Sequence, residues 1–443
     1  MGYKVFNYTK PLYYLEEMMR RAYWPRDKLL KYQVKKLGEI LKHAYDTVPF
    51  YHKIFRKAQI KPEDIKSLND LNKLPIINKN EIKTNINSVI SERFKAKKLR
   101  RLLTSGSTGE PLQVFITLDE DNFRKAKHLR ANISCGHKPW HSWVAITSPS
   151  HFSEINRVQK ILGFYSPKFV SVFHDIPQQL SVINKIRPDV LDGYSSSLYL
   201  LAREIKNLGL KTIKPKLVFG GAELIDANSR NFIETALGAP LYDQYATIEF
   251  ERIAWQCPTK AYYHMDADAV IIQFVDENGE EVTAGESGEI VCTSLFNYAM
   301  PFIRYAIGDI GTPTNEECQC GRRLPLMKII EGRSDSVIFL PNGRTLSPRT
   351  FTIAINQFHL NKHIEQFRVI QKKVNKFEIQ IKTSPENVDI NYIERELVQH
   401  IKKMFKIDLE DVSLDIRFVE GIPLDKSGKL KIVSSELERF HNT

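Results

Sequence analysis

Several short stretches of this sequence bring together residue types that can hold phosphate, a planar ring or a metal ion. Thr104-Ser-Gly-Ser-Thr-Gly-Glu-Pro111 sets two glycines among hydroxyl side chains. Glycine turns tightly and lets a ligand approach the backbone, and the exposed N–H groups of such a loop make a concavity for phosphate oxygens. A polar surface loop is the plain alternative. The string lacks the Gly-Lys-Ser/Thr ending of a P-loop, so kinase-like and GTPase-like chemistry loses its main support. Phe219-Gly-Gly-Ala-Glu-Leu224 falls where a strand candidate passes into a helix candidate. Paired glycines there permit close, flat approach of a planar ring, although a tight βα turn would use them as well.

Cys257 and His264 stand seven positions apart, and Cys318-Gln-Cys-Gly321 puts two more sulfurs on a turn. Three cysteines and a histidine are the ligand type and count of a closed tetrahedral zinc site. The spacings are looser than a zinc finger's, and three ordinary reduced cysteines are the alternative. With four protein ligands the metal would be structural. Cys135 and Cys292 read as small hydrophobes. Five cysteines, odd in number and sparse, do not make a disulfide scaffold.

The elements that must position these residues follow from patterning. The first hundred residues read as a mainly helical lead-in, with the aromatic segment His43–Tyr51 packing a helix end on the main body. From Leu102 to Thr312 strand and helix patterns alternate, as in an α/β body. Strands are expected at Lys216–Phe219, Ala269–Val275 and Glu289–Leu295, and helices at Ser197–Asn207 and Asp226–Leu237, the latter closed by Gly238. Beyond Gly332-Arg-Ser-Asp335 the texture changes. Phe367–Lys372 and Lys376–Lys382 alternate around Val374-Asn375, Ile393, Leu397, Ile401 and Met404 recur at helical spacing, and Asp415–Val419 is a further strand.

The chain has 443 residues, 42% of them hydrophobic and 26% charged, a soluble globular composition in two or three units. No apolar run approaches a membrane span, and Met1–Lys10 lacks the apolar core of a signal peptide, so a cytoplasmic protein is expected. The net charge of +12 has its densest cluster at Lys95, Lys97, Lys98, Arg100 and Arg101. No nucleic-acid module accompanies it, and a solvated face is the reading; steering of anionic nucleotide or CoA-like substrates, or loose contact with an acidic membrane surface, is the alternative.

The hydroxyl-rich loop and five further motifs in order resemble those of adenylate-forming enzymes of the phenylacetate–CoA ligase and CapK branch, over most of the chain. The resemblance makes Thr104, Ser105, Gly106, Ser107, Thr108 and Gly109 the nucleotide phosphate loop, with Leu112 in the place of a lysine that this branch commonly lacks. It makes Gly221, Ala222 and Glu223 the wall around adenine. In Tyr242-Asp-Gln-Tyr-Ala-Thr-Ile-Glu249, Tyr245 would stack on adenine and Glu249 would hold Mg²⁺. Ala246 and Ile248 depart from the usual glycine and Ser/Thr. Asp309, closing Pro301–Asp309, would accept the ribose hydroxyls, unless Arg304 and Asp309 only pair with each other or with neighbours. Arg333 would reach ribose or phosphate, Asp335 would be the pivot of the C-terminal domain, and Lys429, in Pro423–Lys431, would offset charge at the α-phosphate. The branch also often shows a Cys-x-Cys-Gly-Arg string, here Cys318–Arg322, which supports the zinc reading.

The resemblance therefore implies an α/β fold with a large N-terminal adenylate-forming domain, residues 1–334 including a helical lead-in at 1–101. A small mobile α+β C-terminal lid would span 335–443. It implies an ATP-dependent, AMP-forming acid ligase using ATP, Mg²⁺ and structural Zn²⁺, acting on a small carboxylic acid, with CoA as the default acyl acceptor. An amine or hydroxyl acceptor in cell-surface polysaccharide synthesis is the second reading. A non-catalytic nucleotide-binding descendant, motivated by Ala246 and Ile248, is the third. The acid is not legible: Tyr194–Tyr199 could line its pocket, but a helix N-cap at Ser195 or Ser196 explains those serines as well. A homodimer is compatible with the sequence.

Overall fold

The structure is a computed structural model describing residues 9–104, 112–149, 152, 155, 157–223, 225, 227–333, 338–341, 345–346, 351, 354–355, 358–383, 389–405, 412–423 and 432–437. It divides into two compact units, one of Met1–Ala222 with Glu234–Ile330, the other of Glu223–Ile233 with Glu331–Thr443.

The first unit opens with helices α1 (Thr9–Arg21), α2 (Arg26–Thr47), α3 (Pro49–Lys57) and α4 (Lys79–Thr84). In α2, Leu29, Leu37, Ile40, Leu41 and Ala44 recur at helical spacing and are buried. The helix stops before Val48-Pro49, because a residue preceding proline is driven to extended backbone, and Pro49 then starts α3. The aromatic segment does pack on the body: His43 Nε2 lies 2.8 Å from the Tyr298 carbonyl, and the Tyr51 hydroxyl donates to that of Pro301.

Strands β1 (Arg100–Leu103) and β2 (Gln113–Ile116) form an antiparallel hairpin that leads into α5 (Leu118–Ser134). Thr117 caps α5: its hydroxyl accepts from Glu120 N, while Glu120 accepts from Thr117 N. Then follow β3 (Trp143–Thr147), α6 (Arg157–Leu162), β4 (Pro167–Ser171), α7 (Ile176–Ile186), β5 (Val190–Tyr194), α8 (Ser195–Asn207), β6 (Leu217–Gly221) and α9 (Ala227–Leu237), whose residues up to Ile233 group with the second unit. They continue as β7 (Leu241–Thr247), β8 (Glu251–Gln256), β9 (Tyr263–Met265), β10 (Val270–Val275), β11 (Gly288–Ser294), β12 (Tyr305–Thr314) and β13 (Leu326–Arg333).

Among the described residues one sheet runs β10-β11-β12-β13-β9-β8-β7-β6-β5-β3-β4. Strands β3 to β7 pair parallel; β8 is antiparallel to β7. Of the parallel strands, β3 and β6 are near-continuous apolar runs, as expected where helices cover both faces.

The expected strands and helices of this unit are present to within two residues at each end, and Gly238 follows α9 at φ +64°. The N-cap differs. Tyr194 occupies that position without a side-chain cap, because α8 springs directly from β5 and Ser195 lies in its first turn.

In the second unit, β14 (Ile338–Phe339) pairs with β15 (Thr345–Leu346). Strands β16 (Ile364–Lys373) and β17 (Lys376–Thr383) form the hairpin expected around Val374-Asn375. Helix α10 (Ile390–Phe405) and strands β18 (Ser413–Phe418) and β19 (Val433–Ser435) complete it, with sheet order β18-β17-β16-β19. Ile393, Leu397, Ile401 and Phe405 of α10 join Val369, Phe377, Ile379 and Ile381 in one core. No described helix in either unit is long and apolar enough to cross a membrane.

Candidate active site

Glu249 sits in the turn Ile248–Phe250 between β7 and β8, and only 7% of it is exposed. Its Oε1 accepts from the Tyr305 hydroxyl at 3.1 Å, and among the described residues Oε2 has no donor. A buried carboxylate with one oxygen held and one uncommitted suits a hard divalent cation such as Mg²⁺. The backbone then leaves the turn through Glu251 at φ +63°, a left-handed conformation that few non-glycine residues adopt.

Tyr245, at the end of β7, donates to Asp309 Oδ2 of β12 at 2.6 Å. Burial, and then the Asp309 charge, push the phenol well above its usual range, so it stays a donor. Arg304 does not pair with Asp309; it donates to the carbonyls of Leu74, Asn72 and Gly279. Gly221 ends β6, and a Cβ there would lie 2.8 Å from the Gln244 carbonyl. The tight β6–β7 approach therefore demands glycine by itself. Ala222 follows at φ +65°, and Glu223 begins the segment that groups with the second unit.

Thr104 closes the base of the hydroxyl-rich loop: its N–H donates to the Leu112 carbonyl and its hydroxyl accepts from Leu112 N. Ser105, Gly106, Ser107, Thr108, Gly109, Asp335 and Lys429 lie outside the described residues, as does the side chain of Arg333.

Sequence reasoning missed the face of α5 behind Glu249. Arg124, Lys127 and Arg130 are all buried. Arg124 donates to the carbonyls of Ile248 (2.8 Å) and Glu249 (3.3 Å), and Lys127 to that of Phe250 (2.7 Å). Burial pulls the Lys127 ammonium down to about 8. Asn297 Nδ2 also donates to the Glu249 carbonyl, at 2.8 Å. Arg130 pairs with Asp266 and Asp268, and Asp268 also takes Arg21. The only signal in the sequence was three basic residues at i, i+3 and i+6, which ordinarily marks a solvated helix face.

The four metal-ligand candidates do come together. Cys257 follows β8, His264 lies in β9, and Cys318 and Cys320 sit between β12 and β13; their donor atoms lie within 4.8 Å of one another. Cys257 Sγ is 3.5 Å from Cys318 Sγ, and Cys320 Sγ is 3.3 Å from His264 Nε2. Bonds of about 2.3 Å to sulfur and 2.0 Å to nitrogen in a tetrahedron separate donors by about 3.5–3.8 Å, so the set fits zinc. Burial, and then Arg322, bring His264 down to about 4, which keeps the imidazole neutral as coordination requires. The cluster is walled by Trp255, Leu324, Leu326, Ala22 and Leu29.

Comparison with known proteins accords with this geometry. Residues 339–436 match the family of CapK C-terminal domains. The phenylacetate-coenzyme A ligase of Thermus thermophilus is 26% identical over 326 residues, 71% of this chain and 73% of that protein. Protein CapK of Staphylococcus aureus is 24% identical over 457 residues, 98% of this chain and 94% of its own. Among solved structures, 2-hydroxyisobutyryl-CoA ligase in the postadenylation state with 2-HIB-AMP aligns with a TM-score of 0.78 at 18% identity, covering 94% and 91% of the two chains. The open conformation of that ligase with 2-HIB-AMP and CoA aligns at 0.64 and 19%, covering 92% of each. The chain thus has the fold of the adenylate-forming ligases. Its relatives in sequence are phenylacetate-coenzyme A ligases and a CapK protein.

Proposed function

We propose that this protein is an ATP-dependent, AMP-forming acid ligase. A carboxylate oxygen attacks the α-phosphorus of ATP, pyrophosphate leaves, and an acyl-adenylate forms. The thiol of CoA, losing its proton, then attacks the acyl carbon and AMP departs. The observation that carries this reading is the juxtaposition of Glu249 with Tyr305, and of Tyr245 with Asp309, in a fold whose sequence relatives are named as CoA ligases.

In this reading Asp309 accepts from the ribose, with the Tyr245 hydroxyl holding it. Residues Thr104 to Gly109 surround the phosphates. Gly221, Ala222 and Glu223 border the adenine, and Arg333 reaches ribose or phosphate. Mg²⁺ on Glu249 would neutralise phosphate charge. Lys429 offsets charge developing on the α-phosphate and the attacking carboxylate, which is electrostatic stabilisation rather than covalent catalysis. Asp335 serves as the pivot between the two half-reactions, and Cys257, His264, Cys318 and Cys320 hold a structural zinc.

An amine or hydroxyl acceptor, as in polysaccharide decoration, is the second reading. It is motivated by the likeness to the CapK branch, a relative from which spans 98% of this chain.

The test is pyrophosphate release across aryl, aliphatic, amino and sugar acids, with and without CoA. Lys429→Ala serves as control and is expected to lose about a hundredfold or more of the acid-dependent rate without a change in melting. Pyrophosphate release that needs no acid, or that survives Lys429→Ala, would overturn the assignment.

A further inference from the structure

Ile248, Glu249 and Phe250 present three successive carbonyls at the turn between β7 and β8, and side chains from outside the turn take up all three. Arg124 spans the first two, Lys127 takes the third, and Asn297 adds a second donor to the middle one. Among the described residues, the side-chain bond inside the turn is the 3.3 Å one from Phe250 N to the Thr247 hydroxyl. Neither Ala246 nor Ile248 carries a polar side-chain group. The position of Glu249 is therefore set by its neighbours and not by the turn itself.

The donors are unusual for this task. Lys127 is 2% exposed, yet its hydrogen bond goes to a neutral carbonyl, while Asp266 and Glu251 act on it only electrostatically. Burying an ammonium without a directly bonded carboxylate costs free energy, and a neutral or apolar side chain could fill the space. Arg124 lies 3.7 Å from Glu251 but spends its shorter bonds on the turn. Both cations project from one face of α5, a seventeen-residue helix fixed at its start by the Thr117–Glu120 capping box. Glu120 is itself bonded to the backbone of Tyr298 and Ala299, beside Asn297. Helix, turn and the 297–299 segment are thus tied into one frame around Glu249.

We infer that Arg124 and Lys127 are positioning residues: by gripping the turn's carbonyls they fix where the Glu249 carboxylate meets a nucleotide-bound divalent cation. This rests on the reading of Glu249 as the cation's protein ligand. A rigid ligand binds metal more tightly than one that must be ordered at binding, and groups that orient a ligand commonly contribute about 10–100-fold to metal affinity.

The experiment uses the full chain with Mn²⁺ and ATP, reading bound Mn²⁺ by electron paramagnetic resonance alongside the Mg²⁺ half-saturation of pyrophosphate release. Arg124→Lys keeps the charge and loses the fork. It is expected to weaken Mn²⁺ binding about tenfold while the rate at saturating Mg²⁺ stays within about threefold. Lys127→Met should behave similarly, and Lys127→Arg provides a charged substitute if that variant does not fold. Glu249→Gln should weaken binding further, and adding Arg124→Lys to it should cost nothing more, because both changes act on one contact. Unchanged metal affinity in Arg124→Lys, or additive losses in the double variant, would overturn the positioning role while leaving Glu249 in place. Unchanged affinity in Glu249→Gln would remove the cation reading itself, and the positioning role with it.

Discussion

The Tyr245 hydroxyl reaches across 64 positions of sequence to Asp309, which changes what each residue is for. The sequence offered Tyr245 as a flat ring and Asp309 as a two-oxygen acceptor, and nothing in their spacing said that they touch. Motif order made the individual residues legible; the bond between them depends on how β7 and β12 are placed in the fold, which no local pattern encodes. Tyr245→Phe separates the two roles. A hydrogen bond to a carboxylate contributes about 1.5–3 kcal/mol. If the hydroxyl orients Asp309, its loss should raise the ATP half-saturation about tenfold or more in pyrophosphate release, with the ring kept. If the ring acts only by stacking, the phenylalanine variant should bind ATP as the wild type does.

Among elements, legibility followed periodicity. The β6 run and the α10 stripe were found because burial imposes a period on sequence, and both ends of the β16–β17 hairpin are marked by alternation. Helix α5 was not readable in the same way. Its buried face carries Glu120, Arg124, Lys127 and Arg130, so it looks like an exposed one until its partners are known. Its far end shows a similar mismatch. His137, just past Gly136 at φ +100°, is 2% exposed against Trp143 and Tyr165. Neither of its ring nitrogens has a partner among the described residues. Burial, and then His141, lower it from 6.5 to about 3. In that interval the unfolded chain binds a proton that the folded one refuses, so stability is complete above about pH 6.5 and falls as pH drops towards about 3. His137→Phe removes the titration. Chemical denaturation at a series of pH values should show the variant gaining on the wild type by about 1 kcal/mol per pH unit below 6.5, with a constant offset above it. Parallel curves throughout would mean that the folded protein does protonate His137.

Across the whole molecule, the longest-range feature foreseen from sequence is the cysteine–histidine cluster. Its ligands come from chain positions 257 to 320, yet their donor atoms gather within 4.8 Å. Cys257 and His264 flank the β8–β9 connection, while Cys318 and Cys320 lie on the segment leading into β13, which pairs with β9. A metal here would staple that segment to the sheet. His264 packs against Trp255 with ring centroids 5.0 Å apart, and its buried Nδ1 has no partner among the described residues, so ring packing and the Nε2 contact with Cys320 Sγ orient the imidazole. Thr259 Oγ1 lies 3.1 Å from Cys257 Sγ and 3.3 Å from Cys318 Sγ, which places a hydroxyl beside two of the sulfurs. Elemental analysis of protein purified without added metal is expected to find about one zinc per chain, as a closed four-ligand site requires. Cys318→Ser or Cys320→Ser should lose the metal and lower the melting temperature, because structural zinc contributes folding free energy directly. The same variants, held folded at low temperature, should keep their ATP affinity, since no zinc ligand is assigned to the nucleotide. Metal-free wild-type protein with full thermal stability would leave the cluster as four packed side chains. A stoichiometric metal that survives Cys257→Ser or His264→Ala would place the zinc on other ligands.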